Sequence, residues 1–280
     1  MQEALNFVKQ LFKRMMDDDV FGLSAQLSYF FLLSLFPFML FLVTLLGFLP
    51  LPEVDIMNFI EDYAPAETAT LINENVNMIV TERNGGLLSI GLIGTLWSAS
   101  NGINAIMRAF NAAYNVEENR SFVISRLIAI VLTIAMLIVI IIAFLLPIFG
   151  KAIGVYLFSF FGLSEGFLQT WNTLRWVISS VVFFLVLLAL YILAPNKKVN
   201  IKNVAIGAIF ATICWQLVSL LFSYYVNTIG NYSAMYGSLG GVIVLMIWFY
   251  ISGIIIITGG EINALLKHRG ITTSANHKVT

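Results

Sequence analysis

The chain alternates long apolar stretches with short polar ones, and the apolar stretches are longer than core helices usually are. A spanning helix needs roughly 20 apolar residues, because the hydrocarbon core is about 30 Å thick and each helical residue rises about 1.5 Å. Six segments meet that length: residues 23–49, 87–107, 127–149, 175–194, 204–226 and 239–263. The pattern predicts an all-α, polytopic membrane protein. Its core is a six-helix transmembrane bundle over residues 20–266, with an amphipathic N-terminal helix and a helical outer loop. Pro37 falls near the middle of the first span. It removes a backbone donor and predicts a bend, with the Ser34 hydroxyl placed to help satisfy the freed carbonyl. Residues 152–168 are also apolar, but Gly154, Gly162, Glu165 and Gly166 interrupt them, so they read as an interfacial or re-entrant segment.

Three parts flank the spans. Over residues 1–19, Leu5, Val8, Leu11, Phe12 and Met15 recur at helical spacing opposite Asn6, Lys9, Gln10 and Lys13. This pattern suits a helix lying in the headgroup layer, and equally one packed on a loop of its own protein. Asp17, Asp18 and Asp19 then end that helix and supply carboxylates to cap the first span. The outer loop 51–86 carries Pro52 and Pro65 as punctuation, an apolar stripe of Leu71, Ile72, Val76 and Ile79, and many carboxylates against a single Arg83. It reads as an acidic, solvated cap over the bundle's mouth. Residues 267–280 form a polar tail, expected to be flexible.

Composition sharpens the class. Apolar residues make up 59% of the chain and charged ones only 11%, too little charge to cover a soluble domain of this size. The formal net charge is zero, which argues against nucleic acid as a partner, since its binders concentrate Lys and Arg. The one cysteine, Cys214, lies in an apolar stretch and reads as packing. No secretory leader pattern opens the chain, so the first apolar segment is expected to stay in the mature protein.

The placement of Lys and Arg sets the orientation. With six spans, Lys9, Lys13, Arg14, Arg108, Arg120, Arg126, Lys197, Lys198, Lys202, Lys267, Arg269 and Lys278 share one side, against Arg83, Lys151 and Arg175 on the other. Both termini are therefore expected in the cytoplasm. A seventh crossing at 152–168 would turn the Lys197, Lys198 and Lys202 cluster outward.

Polar side chains inside spans are costly and point to bundle interiors or cavities. Asn101, Asn104, Arg108 and Asn111 share one face of the second span, beside a small-residue stripe of Gly94, Ser98, Gly102, Ala105 and Ala109. This span is expected at the centre of the bundle, its amides either lining a cavity or joining helices. Gln26 and Ser28 on the first span and Gln216 on the fifth are further candidates for a polar interior. Asn231, Tyr232 and Tyr236, before the Gly237, Gly240 and Gly241 cluster, are candidates for the outer mouth. Glu261 sits about one turn from the inner end of the sixth span and needs a counter-charge. Arg108 or Arg126 is the expected partner in an ion pair closing the inner side.

Three blocks carry a family resemblance: AQLSYFFLLSLFPFML at 25–40, LWSASNGINAIMRAFNAAY at 96–114 and NYSAMYGSLGGVIVLMIWFYISGIIIITGGEINA at 231–264. Together they resemble the YihY/virulence factor BrkB family of bacterial inner-membrane proteins, over nearly the whole stretch from Gly22 to Ala264. The resemblance implies a multi-pass protein of the bacterial envelope, in a family sometimes linked with serum resistance. Part of that family has carried the label ribonuclease BN, which the residues of this chain do not suit. A zinc ribonuclease needs clustered His and Asp ligands, whereas His268 and His277 both stand in the polar tail. Neither a HExxH helix nor a phosphate-cradling Gly-Lys loop is present.

The expectation is therefore no enzyme and no cofactor or metal. Instead the sequence suggests a transporter or flippase-like protein for a lipid or amphipathic envelope precursor, with Arg108 offering a fixed cation to a phosphate or carboxylate. A non-transporting scaffold or assembly factor is the alternative. Membrane lipids are the expected partners, and a homo-oligomer is compatible with the reading.

Overall fold

Local sequence signals decide where the helices begin and end. In the computed structural model, which describes residues 2–46, 48, 84–138, 165–228 and 239–276, seven helices and no strands occur among the described residues. They are α1 (Gln2–Asp17), α2 (Val20–Leu46), α3 (Gly85–Ala113), α4 (Phe122–Ile138), α5 (Glu165–Leu193), α6 (Ile201–Thr228) and α7 (Leu239–Asn276). Asp19 takes a left-handed φ of 52°, and its carboxylate accepts the Gly22 N–H at 3.3 Å. The aspartate run thus both ends α1 and caps α2, as expected. Gly22 leaves room for this cap, since a methyl there would displace the Asp19 carboxylate. Asn84 caps α3 through its side-chain oxygen, 3.0 Å from the Leu87 N–H. At the other end of α3, Asn115 has φ 50°. Val116 and Asn115 donate back to the carbonyls of Asn111 and Ala112, both at 2.9 Å, a left-handed stop that satisfies the last carbonyls.

Each of the six expected spans overlaps one of α2 to α7, and residues 47, 49 and 139–149 of the expected spans lie outside the described residues. Val20–Phe41, Ile201–Val226 and Leu239–Lys267 are long and apolar enough to cross a membrane, and Phe122–Ile138 and Val177–Leu193 are shorter apolar helices. The chain is a polytopic α-helical membrane protein. Two differences from expectation stand out. The helix α7 continues to Asn276, so the tail expected from 267 is helical through most of its length, no proline being present to stop it. Glu165 and Gly166 begin α5, so the end of the expected interfacial segment belongs to a helix. The remainder of that segment, the outer loop from 51 to 83, and Asn231, Tyr232 and Tyr236 lie outside the described residues.

The chain divides into two compact units, Phe31–Ala99 and the remainder. Within the first, small residues let two helices close up. A methyl on Gly91 would meet the Phe41 backbone at 2.8 Å, and one on Gly94 would meet Pro37 at 3.0 Å. The helix α2 is continuous through Pro37. Ser34 donates to the Phe31 carbonyl at 2.7 Å, the i−3 acceptor of its own turn, and not to the Leu33 carbonyl that Pro37 leaves without its usual donor.

The second unit is organised around α7. Gly253 faces Ser24 and Leu27 of α2, Gly259 faces Gly207 of α6 and Tyr191 of α5, and Gly260 faces Phe110 of α3. Small residues at these crossings let backbones approach within a membrane, where dispersion has to replace the hydrophobic effect between helices. The second span was expected at the centre. Its half from Ala99 to Tyr114 is indeed largely buried, yet the helix that touches most neighbours here is the last one.

Candidate functional site

One end of this unit gathers the polar groups. The α3 end, the α4 start, the α5 end, the α6 start and the Thr258–Ala264 stretch of α7 all meet there, next to α1. Arg14 of α1 sits 3.3 Å from Glu261 of α7, and its guanidinium also donates to the Ala113 carbonyl at the end of α3. Glu261 has no exposed surface. Met15 on the same face of α1 accepts from the Thr258 hydroxyl at 3.8 Å. The rest of α1 turns Leu5, Val8, Phe12 and Met16 outward, all exposed.

Around this pair the connections are pinned by side chains. Arg120, just before α4, donates to the carbonyls of Leu193, Ala194 and Pro195 at the end of α5 and lies 3.6 Å from Glu118. Asn111 donates to Glu118 at 2.9 Å and accepts the Asn196 N–H at 2.7 Å. Asn263 accepts the Gly207 N–H at 2.8 Å, and the Tyr191 hydroxyl donates to the Ile256 carbonyl at 2.8 Å. Tyr114 lies in a small apolar cluster with Ala113 and Ala264, flanked by Val116 and Val199. Burial pushes its hydroxyl up to about 12, with the Glu261 charge adding to the rise and Arg14 opposing it. The start of α4 and the end of α5 are thus joined at this end through Arg120.

The second polar feature is an open face on α2, α3 and α4. Arg108 and Gln26 are both exposed, and the guanidinium donates to the Gln26 amide oxygen at 2.5 Å. Two turns earlier on α3, about 10 Å along the axis, Asn101 accepts from the half-buried Arg126 of α4 at 2.6 Å. Asn104 stands between them, half-buried. Two cations are thus attached to one face of α3 by neutral amides, which orient a guanidinium without cancelling its charge.

The expected ion pair needs correction. Arg14, and not Arg108 or Arg126, is the cation at Glu261; both other arginines reach across to amides on α2 and α3. Ser28 is buried and donates to the Met246 carbonyl at 2.8 Å, and Gln216 donates to the Ser180 hydroxyl at 2.7 Å. These two join helices, whereas Gln26, Asn101, Asn104 and Arg108 form the open face. Sequence reasoning did not find Arg14, Tyr114, Glu118, Arg120, Tyr191, Asn196 or Asn263 as site residues. The available signal was their position within a few residues of a span's end, where chain connections have to be fixed.

Among the described residues no three His, Cys, Asp or Glu side chains are grouped to hold a metal.

Comparison with known proteins gives a consistent result. The family model described as "Virulence factor BrkB" matches residues 11–279. A "Putative ribonuclease-like protein YfkH" of Bacillus subtilis is 55% identical over 265 residues, covering 95% of this chain and 96% of the relative. "UPF0761 membrane protein VP0125" of Vibrio parahaemolyticus is 30% identical over 93% of this chain and 82% of the relative. A "UPF0761 membrane protein" of Vibrio campbellii is 29% identical over 95% and 83%. No solved structure matches.

Proposed function

The chain belongs to the Virulence factor BrkB family, and from that premise we propose that it is a non-enzymatic transporter of a bacterial inner membrane, flippase-like, for a lipid or other anionic amphipathic envelope precursor. Both termini lie in the cytoplasm in this reading, the side to which the excess of Lys and Arg points. The observation that carries it is the exposed Arg108, fixed by the Gln26 amide oxygen at 2.5 Å on helices that are otherwise apolar. Arg108 stands at the inner end of its expected span, where headgroups lie, and an amide partner leaves its charge available to an anionic headgroup. Arg126, held by Asn101 two turns away on the same α3 face, gives a second contact along the path. The ribonuclease-like wording attached to the Bacillus relative finds no cluster of metal-ligating side chains among the described residues.

The test is reconstitution into liposomes, with the protein supplied as the full chain. Labelled phospholipid should equilibrate between leaflets faster than in protein-free liposomes, and R108Q/R126Q should slow it at least tenfold. Liposomes in which the wild-type protein moves no labelled phospholipid, polyprenyl phosphate or anionic solute would overturn the reading.

A scaffold or assembly role has its own supporting observation. Gly207 and Gly259 bring the α6 and α7 backbones together so closely that a methyl on Gly207 would strike the Gly259 carbonyl. Trp215 and Trp248 then bond across to Ser252 and Ser219 at 3.1 and 3.4 Å. In that role R108Q/R126Q leaves cellular function intact while Gly207 substitutions remove it.

A further inference from the structure

Two lysines that are far apart in sequence converge on one aromatic ring. The Lys197 ammonium lies 5.9 Å from the Tyr114 ring centroid and the Lys267 ammonium 5.7 Å from it. Like charges over a single ring repel each other, and lysines that merely mark the inner side of a membrane protein have no reason to meet. Here three separate elements hold them in place. Tyr114 closes α3, where its neighbour Ala113 is bound by Arg14. Lys267 rides on α7, half-buried. Lys197 sits in the α5–α6 connection, whose preceding residue Asn196 is tied by its N–H to Asn111 at 2.7 Å and by its amide to the Glu117 carbonyl at 2.8 Å.

Two of the nearby carboxylates, Glu118 and Glu261, are engaged by arginines. Among the described residues the ion pairs are Arg14 with Asp18, Arg14 with Glu261, and Arg120 with Glu118, and neither lysine takes part in one. The face of the ring attracts each ammonium weakly at an accessible site, which orients the cations without neutralising them. The ring itself belongs to an apolar cluster of Ala113, Tyr114 and Ala264, with Val116 and Val199 packed against it. Two ammonium groups 5.9 and 5.7 Å from one ring centroid, at the edge of an apolar cluster, have the chemistry of a phosphate site. Basic pockets between membrane helices near the cytoplasmic surface bind phospholipid headgroups by these means.

We propose that Lys197 and Lys267, held over Tyr114, form a binding site for a phosphate oxyanion, supplied by the headgroup of an anionic phospholipid or by free inorganic phosphate. The site is separate from Arg108 and does not rest on the transport reading. It binds an anion whether the protein moves lipid or assembles other proteins.

The experiment uses the full chain purified in detergent, with two probes. Phosphatidylglycerol retention is counted by native mass spectrometry, and inorganic phosphate is scored by the rise in unfolding temperature that a bound ligand produces. K197Q/K267Q should lose at least 90% of the retained lipid, while K197R/K267R keeps it. K198Q/K202Q removes the same charge from two exposed lysines and should also keep it. A response to phosphatidylglycerol assigns the site to lipid; a response to inorganic phosphate alone, abolished by K197Q/K267Q, assigns it to free phosphate. The proposal is overturned if neither probe depends on Lys197 and Lys267, or if K198Q/K202Q loses as much as K197Q/K267Q.

Discussion

The buried side of α7 and the open face of α3 handle the same problem, polar groups in apolar helices, in opposite ways. On α7 the polar groups are short or fully enclosed. Glu261 is met by Arg14 at 3.3 Å, Asn263 by the Gly207 N–H, and the Ile256 carbonyl by Tyr191, all between backbones brought close by glycines. On α3 the cations are long side chains, exposed or half-buried, and bonded to amides. The first arrangement loses stability when any member is changed, because a buried group is left without its partner. The second can lose a member with little structural cost, which is what a surface that exchanges ligands requires.

That contrast can be broken in order of expected effect. Replacing Arg14 by Gln leaves the Glu261 carboxylate buried without its cation, and unfolding in detergent should show a loss of about 3–5 kcal/mol. Glu261→Gln should cost less, since Arg14, 19% exposed, can turn towards solvent. The double variant should recover part of the loss; strict additivity of the two would show that they do not act as a pair. Next, Gly207→Ala and Gly259→Ala should each destabilise by about 1–3 kcal/mol through overpacking. Gly241→Ala, on the same α7 but with open space around it, should be neutral or slightly stabilising. Equal responses at the three glycines would mean that the seam is looser than described.

Smaller effects lie at the hydroxyl and on the open face. Tyr191→Phe removes one bond to the Ile256 carbonyl and should lower stability by about 1 kcal/mol. Smallest of all, Arg108→Gln should change the unfolding free energy by no more than about 0.5 kcal/mol, as is usual for exposed positions, while slowing the lipid movement proposed above. A variant that lost stability and activity in proportion would place Arg108 with the buried groups and remove the contrast.

Much of this architecture was readable one residue at a time. The aspartates after α1, Asn84 before α3 and the apolar runs all act locally, through caps and burial over a few turns. The need of Glu261 for a cation was equally readable, because a carboxylate in a span cannot stand alone. Its partner was not. Arg14, Arg108 and Arg126 were all expected on the same side of the membrane, but Arg14 reaches Glu261 because α1 packs against α7, a packing decision that no local pattern encodes. For the same reason Gln26 and Arg108 were both recognisable as misplaced polar groups, yet their bond depends on the rotation of α2 against α3.

The sequence by itself determined that the chain is helical and membrane-embedded, where its spans fall and which residues are out of place in lipid. Those properties follow from length, hydropathy and the obligation of each backbone group to bond within its own helix. Only the tertiary structure decided which misplaced residues are joined and which are left open. It made α7 the hub through Gly253, Gly259 and Gly260, paired Glu261 with Arg14, and brought Lys197 and Lys267 to one ring. The physical reason is that helix rotation and crossing are set by side-chain packing between segments distant in the chain, and a single helix carries no record of the neighbour that its polar groups will meet.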